Sequence, residues 1–144
     1  MTVAVLDTNT IVSGALESRG IPHRLIEAAR AEHFSLITSD VIIGEVFTTL
    51  NRDRIRRKYQ LTAADLERLR DLLERETVST ALTTEVHGVA THPEDDLILA
   101  TAVSAHADYL VTGDTQLRKL GRYEGVVIVS PREFLGILSE NTPW

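Results

Sequence analysis

Four stretches of this chain place carboxylates where a sheet protein can use them: Leu6-Asp7-Thr8-Asn9, Glu45, Glu94-Asp95-Asp96 and Thr112-Gly113-Asp114. Asp7 directly follows an apolar run, Val3-Ala-Val-Leu6, and Asp114 lies just beyond a second, Tyr109-Leu-Val-Thr112. In open parallel sheets ligands bind outside the carboxyl ends of the strands, where such residues point. Either aspartate can equally serve as the N-cap of a following helix. Repetition of the strand-then-Asp pattern favours convergence on one end of one sheet.

Glu45 projects between Val41 and Ile42 on a helical wheel, with Val46 close by on the apolar side. An ionised carboxylate there is costly unless it is paired or metal-bound, so a salt bridge or a ligand role is expected. Acids at a helix start, such as Glu94, Asp95 and Asp96, ordinarily complement the helix dipole. Asp95, however, is in line with Ile98, Leu99 and Ala102, the inward stripe of that helix. Asp96 is turned about 100° away. Asp95 is the expected site residue, with Asp96 its neighbour or substitute.

Carboxylates crowded together oppose one another's ionisation, and a hard dication relieves the repulsion. Oxygen-only donors suit Mg²⁺ or Mn²⁺, with water completing the shell. The five histidines show no spacing of a zinc site, and His87 and His92 carry no expected role.

The elements that must position these residues are legible as alternating strands and helices. Strands are expected over 3–6, 34–38, 109–112 and 126–129, each a short apolar run. A helix opens at Ile21-Pro22, with Leu25, Ile26 and Ala29 as its stripe. Ser39 offers an N-cap to residues 40–50, and Thr62 caps a helix carrying Leu66, Leu69, Leu72 and Leu73. Pro93 precedes a helix over 94–104, and Ser130-Pro-Arg-Glu133 combines a capping box with proline at the first helical position. Alternation of this kind predicts an α/β fold: a three-layer α/β/α sandwich with a mostly parallel central sheet.

At 144 residues and 43% hydrophobic, the chain is expected to form one domain, residues 1–144, with its own core. Absence of cysteine excludes disulfides, thiolate metal sites and a cysteine nucleophile. The start shows no signal-peptide pattern and no apolar stretch is long enough for a membrane span, so a soluble, cytoplasmic protein is expected. The net charge of -6 is wrong for a simple nucleic-acid coat, although a metal-dependent nuclease must itself gather acids. Arg52, Arg54, Arg56, Arg57 and Lys58 cluster in one stretch, either as a solvated turn between helices or as a phosphate-contacting patch.

In order along the chain, these motifs resemble the PIN-domain ribonuclease family, especially its bacterial VapC-like toxin group. The opening Leu-Asp7-Thr-Asn9-Thr-Ile-Val-Ser13-Gly-Ala is similar to that of the family, and Glu45 matches its second acid. Asp95-Asp-Leu-Ile-Leu-Ala-Thr-Ala102 resembles its third motif, Val-Thr112-Gly-Asp114 its fourth, and the tail Tyr-Glu-Gly-Val-Val-Ile-Val-Ser-Pro-Arg-Glu-Phe-Leu is also similar. The resemblance runs nearly end to end, and it leaves the choice within the Asp95-Asp96 doublet open. It implies metal-dependent hydrolysis of RNA, often as the toxin of a toxin–antitoxin pair, with an antitoxin or a second copy as protein partner. It further implies that Asp7 and Asp95 hold the principal Mg²⁺, while Glu45 and Asp114 bind a second ion or order water. Asn9 and Thr112 would orient the carboxylates, and the Arg52–Lys58 segment would position substrate phosphates.

Other classes fit less well. A dehalogenase-type phosphatase needs Asp-x-Asp-x-Thr, and Asn9 in the second position cannot act as general acid or base. A phospho-receiver domain wants a lysine after a late strand, whereas Lys119 falls inside an expected helix. A catalytically silent PIN fold that binds RNA or protein is the remaining alternative, separated from the enzyme by metal-stimulated cleavage.

Overall fold

Val3–Leu6 forms β1, whose last three residues are fully buried, as an apolar run flanked by polar residues should be in a covered sheet. The structure is a computed structural model and describes residues 1–90 and 92–141. After β1 come α1 (Thr8–Leu16), α2 (Ile21–Arg30), β2 (Ser35–Thr38), α3 (Asp40–Leu50), α4 (Asp53–Lys58) and α5 (Ala63–Glu76). Then follow β3 (Val78–Ser79), α6 (Pro93–Ser104), β4 (Tyr109–Val111), α7 (Thr115–Arg118), β5 (Arg122–Tyr123), β6 (Val126–Val129) and α8 (Pro131–Asn141).

The strands form one sheet in the order β3-β2-β1-β4-β6-β5, parallel except for the last pair. Helices flank this sheet, giving the expected α/β sandwich. From β1 the chain first builds outward to β2 and β3, then returns to add β4 on the other side. The boundary between β1 and β4 is therefore the switch point, where a crevice opens at the carboxyl ends of the strands. Register pairs Leu6 with Val111, so Asp7 and Thr112 emerge side by side. The Asp7 amide donates to the Val111 carbonyl at 3.0 Å, extending the ladder by one step.

Helix starts follow their capping residues. Ser39 accepts from the Ile42 amide, Thr62 and Asp65 close a capping box, and Ser130 with Glu133 closes another. These reciprocal bonds hold the Asp65 and Glu133 carboxyls below the usual range. In the core, Phe34 meets Phe134 edge to face, with ring centroids 5.0 Å apart. Among the described residues no helix is long and apolar enough to cross a membrane.

The segment expected as a polar turn is in part a helix, α4, which has no buried residue. It lacks an apolar stripe and is too short for periodicity to reveal. The same brevity hides β3 and β5, of two residues each.

Helices α1 and α2 approach closely at Gly14, whose carbonyl lies 3.1 Å from His23 Nδ1. A methyl group there would stand 2.5 Å from Ile26 Cδ1 and 2.8 Å from the Pro22 carbonyl oxygen. Backbone cannot retreat cheaply. Gly14→Ala should destabilise the protein by about 1–3 kcal/mol, overriding the usual gain of about 1 kcal/mol from a better helix former. Gly44 in α3 has nothing within 4 Å of that position, so Gly44→Ala should be neutral or stabilising. Urea melts of both variants check this pair, and equal effects would contradict the close-approach argument.

Candidate active site

At the switch point a cleft of about 430 Å³ is lined by Asp7, Glu45, Glu94, Asp95 and Asp114, together with Asn9 and Arg52. Each acid arrives from a different place in the chain. Asp7 directly follows β1, Glu45 comes from the middle of α3, Glu94 and Asp95 from the first turn of α6, and Asp114 follows β4. A buried sheet fixes the first and last, and helix packing against it fixes the others.

Capping and cleft-lining coexist at two of these positions. Asp7 is 6% exposed and caps α1, with Oδ1 accepting from the Thr10 amide at 2.9 Å. Its Oδ2 accepts from the Thr112 hydroxyl at 2.5 Å. The Thr112 oxygen in turn accepts from the Asp114 amide at 3.0 Å, so one buried hydroxyl ties both strand ends together. Asp114 caps α7 through Oδ1, which accepts from the Gln116 amide at 2.8 Å. A carboxylate has about four acceptor sites, so these bonds orient the groups without exhausting them.

Glu45 is half-buried, and its Oε2 accepts from the Thr8 hydroxyl at 2.8 Å. No salt bridge engages it among the described residues. Asp95 makes no side-chain hydrogen bond there either, and its carboxyl is pushed up to about 6. Burial is the first cause, followed by the charges of Asp114 and Glu94; His92 opposes them, and Asp7 adds a smaller push. Asp95 is thus the group that feels the crowding of the cleft.

Asp96 does not line the cleft. It is 6% exposed, and its oxygens accept from the amides of Gly88, Val89 and Ala90 at 3.0, 3.2 and 2.7 Å. Here Asp96 serves as the latch of the loop leading into α6. Asp96→Ala would strand three amide donors, each worth about 1–3 kcal/mol when buried without a partner. Hydrogen exchange should accelerate at residues 88–90 and thermal stability should fall. Unchanged protection of those amides would show that the loop does not need the carboxylate.

Of the basic stretch only Arg52 reaches the cleft. Arg56 donates to the Leu61 carbonyl, Arg57 donates to the Asp53 carbonyl, Lys58 lies over the Tyr59 ring, and Arg54 is exposed. A helix distributes consecutive residues around its axis, so the five cannot form one patch facing the acids.

Thr8, Thr48, Thr49, Glu94 and His92 line the cleft without having been singled out as site residues. A signal existed for part of this set. Glu45, Thr48, Thr49 and Arg52 follow the i, i+3, i+4, i+7 pattern of one helical face. Nothing local announces Thr8 or His92, whose places depend on α3 and on the latched loop.

A mostly parallel α/β sheet with an acid-lined cleft at its switch point defines the class of this protein. The chain belongs to the PIN-domain family, whose model, described as a PIN domain, matches residues 3–116. No curated protein sequence gives a match. Among solved structures, the chain is similar in fold to one titled VapBC2 from Rickettsia felis bound to a DNA fragment from their promoter. That likeness has a TM-score of 0.60 at 18% identity and covers 90% of this chain and 98% of the other.

Proposed function

We propose that this chain is a metal-dependent endoribonuclease acting in the cytoplasm, the toxin of a toxin–antitoxin pair. The observation that carries this reading is the gathering of Asp7, Glu45, Asp95 and Asp114 from four separate segments into one cleft. Independent caps and surface acids would have no reason to share it.

The donor chemistry fits Mg²⁺ or Mn²⁺. Every candidate ligand is an oxygen, and Asp95 is left without a hydrogen-bonding partner among the described residues. No three of these side chains, as placed, enclose an ion. Mg²⁺ keeps several waters and takes one or two carboxylates, so a closed cage is not required. Asp7 and Asp95 would hold the principal ion, with Glu45 and Asp114 holding a second or ordering water. The bound ion would supply an acidified water and charge stabilisation for phosphodiester hydrolysis.

The chain's own groups do the rest. Thr112 fixes the Asp7 carboxylate and the turn that carries Asp114. Asn9 and Arg52 line the cleft, where Asn9 would hydrogen-bond and orient the carboxylates and Arg52 would draw a substrate phosphate by its charge. The toxin reading follows the likeness to the Rickettsia felis complex. It is supported by an apolar groove of about 400 Å³ lined by Leu16, Ile26, Leu50, Leu61, Leu66 and Leu69, a surface suited to a protein partner such as an antitoxin.

Purified protein incubated with mixed cellular RNA and Mg²⁺, Mn²⁺ or EDTA tests the proposal. Cleavage with either metal, lost in EDTA, is the expected result. RNA binding without metal-stimulated cleavage would instead identify a silent binding module.

A further inference from the structure

We propose that Arg52 holds the phosphate neighbouring the one under attack, so that the cleft selects a polynucleotide strand over a lone phosphodiester. The inference rests on the reading above that RNA is hydrolysed at the acids. It makes Arg52 a specificity-determining residue that meets the substrate away from the reacting atoms.

Three observations carry it. Five carboxylates line the cleft, and Arg52 is the only lysine or arginine among its described lining residues. Its guanidinium nevertheless makes no ion pair or hydrogen bond among the described residues. Arg30, Arg56, Arg57 and Arg68, by contrast, each bond a neighbour. The third observation is position. Arg52 follows Glu45 by seven residues, just past the end of α3, which separates their backbones by about 10 Å along that helix. Between them on the same wall lie Thr48 and Thr49, whose hydroxyls also lack a partner among the described residues.

A polyanion entering an acid-lined cleft is repelled unless its phosphates meet positive charge. A dication at the acids would compensate the phosphate it touches, and the next phosphate along the strand needs a cation of its own. Pairing with an acid would have consumed the Arg52 fork. Left open beyond the acids, the guanidinium presents several N–H donors that match phosphate oxygens. Thr48 and Thr49, with free hydroxyls, are placed to donate to the sugar–phosphate link between the two positions. A lone diester gains nothing from this wall, whereas a strand gains a charge-assisted contact.

The test is steady-state kinetics of the purified full chain with Mn²⁺ on an oligoribonucleotide spanning a mapped cleavage site. The same oligonucleotide is also made with a neutral methylphosphonate at each flanking position in turn. Arg52 is exposed and its side chain does not cap α4, so substitution leaves the fold intact. Arg52→Gln should raise KM by about tenfold with kcat little changed, and should lower the slope of log KM against log salt by about 0.7. Arg52→Lys, which keeps the charge, should recover most of the loss. In wild type one flanking methylphosphonate should raise KM as much as Arg52→Gln does. In Arg52→Gln that same position should cost nothing further. Loss in kcat rather than KM would place Arg52 at the scissile phosphate and overturn the proposal. Unchanged KM in Arg52→Gln, or costs of the substitution and the methylphosphonate that simply multiply, would overturn the contact while leaving the nuclease standing. RNA left uncut by wild type removes the reading of the cleft itself, and this inference with it.

Discussion

Asp7→Asn is expected to abolish metal-dependent cleavage while leaving the protein folded. Asparagine is as good an N-cap as aspartate, so its side-chain oxygen can still accept from the Thr10 amide. On the other side the new amide group can donate to the Thr112 oxygen, which has a second acceptor site besides the one taken by the Asp114 amide. Local structure is thus preserved with little rearrangement. What is lost is a full negative charge at the end of β1, where a dication would be held. Metal catalysis supplies several kcal/mol of charge stabilisation, so its loss should lower the rate by about a thousandfold or more. The same substitution removes one of the charges that raise Asp95, so that carboxyl should move back toward its ordinary range. Circular dichroism and a melting curve establish the fold; cleavage of RNA with Mn²⁺ reads the site. A folded Asp7→Asn protein with wild-type Mn²⁺-dependent activity would remove Asp7 from the centre of the reaction.

Asp95→Asn should be equally damaging to activity, yet it should stabilise the metal-free protein at neutral pH. The reason lies in linkage. In the folded protein this carboxyl is pushed up to about 6, above the value of about 3.9 expected for an unfolded aspartate. A raised acid binds its proton more tightly when folded. Its contribution to stability is therefore full below pH 4 and is lost as pH rises through 6. Screening in the open cleft leaves roughly 1 kcal/mol of this effect. Metal-free wild type should lose melting temperature relative to Asp95→Asn between pH 4 and about 7, then run parallel to it. The difference between the two proteins is the quantity to read, because the lowered carboxyls of Asp65 and Glu133 act in the opposite direction at acid pH in both. Saturating Mn²⁺ at neutral pH should reverse the order, since ligand that binds only the folded wild type adds about 2.7 kcal/mol at a hundredfold excess over its dissociation constant. Parallel melting curves across the whole pH range would show that Asp95 does not feel the crowding ascribed to it. Asp96→Asn keeps an acceptor for the loop amides and should be milder than Asp95→Asn in the cleavage assay. The reverse ranking would exchange the roles of the two neighbours.

Much of this protein is written in short-range pattern. Ser39, Thr62 with Asp65, and Ser130 with Glu133 start helices where local capping says they should, because a cap is a contract between residues three apart. Val3–Leu6 and Val126–Val129 are strands because an apolar run of that length, bounded by polar residues, has no better use. The strand-then-Asp pattern at Asp7 and Asp114 could be read from the residues alone; the register of the doublet could not, for Asp95 lines the cleft only half-buried, while Asp96, expected to turn away, is the buried one. Adjacency could not. Asp7 accepts from Thr112 across 105 residues of chain, and Thr8 donates to Glu45 across 37; both contacts exist because β1 lies beside β4 and α3 packs beside α1. Sheet order is decided by the packing of whole elements, which no local spacing encodes. Asp96 shows the same limit from the other side. Helical periodicity turned it away from the stripe, but the loop at 88–90 folds over it and consumes its carboxylate. The residue types made a metal the expected companion of these acids. Only the tertiary structure decided the surroundings of Asp7 Oδ2 and Glu45 Oε2, because the hydrogen bonds to these two oxygens come from distant parts of the chain.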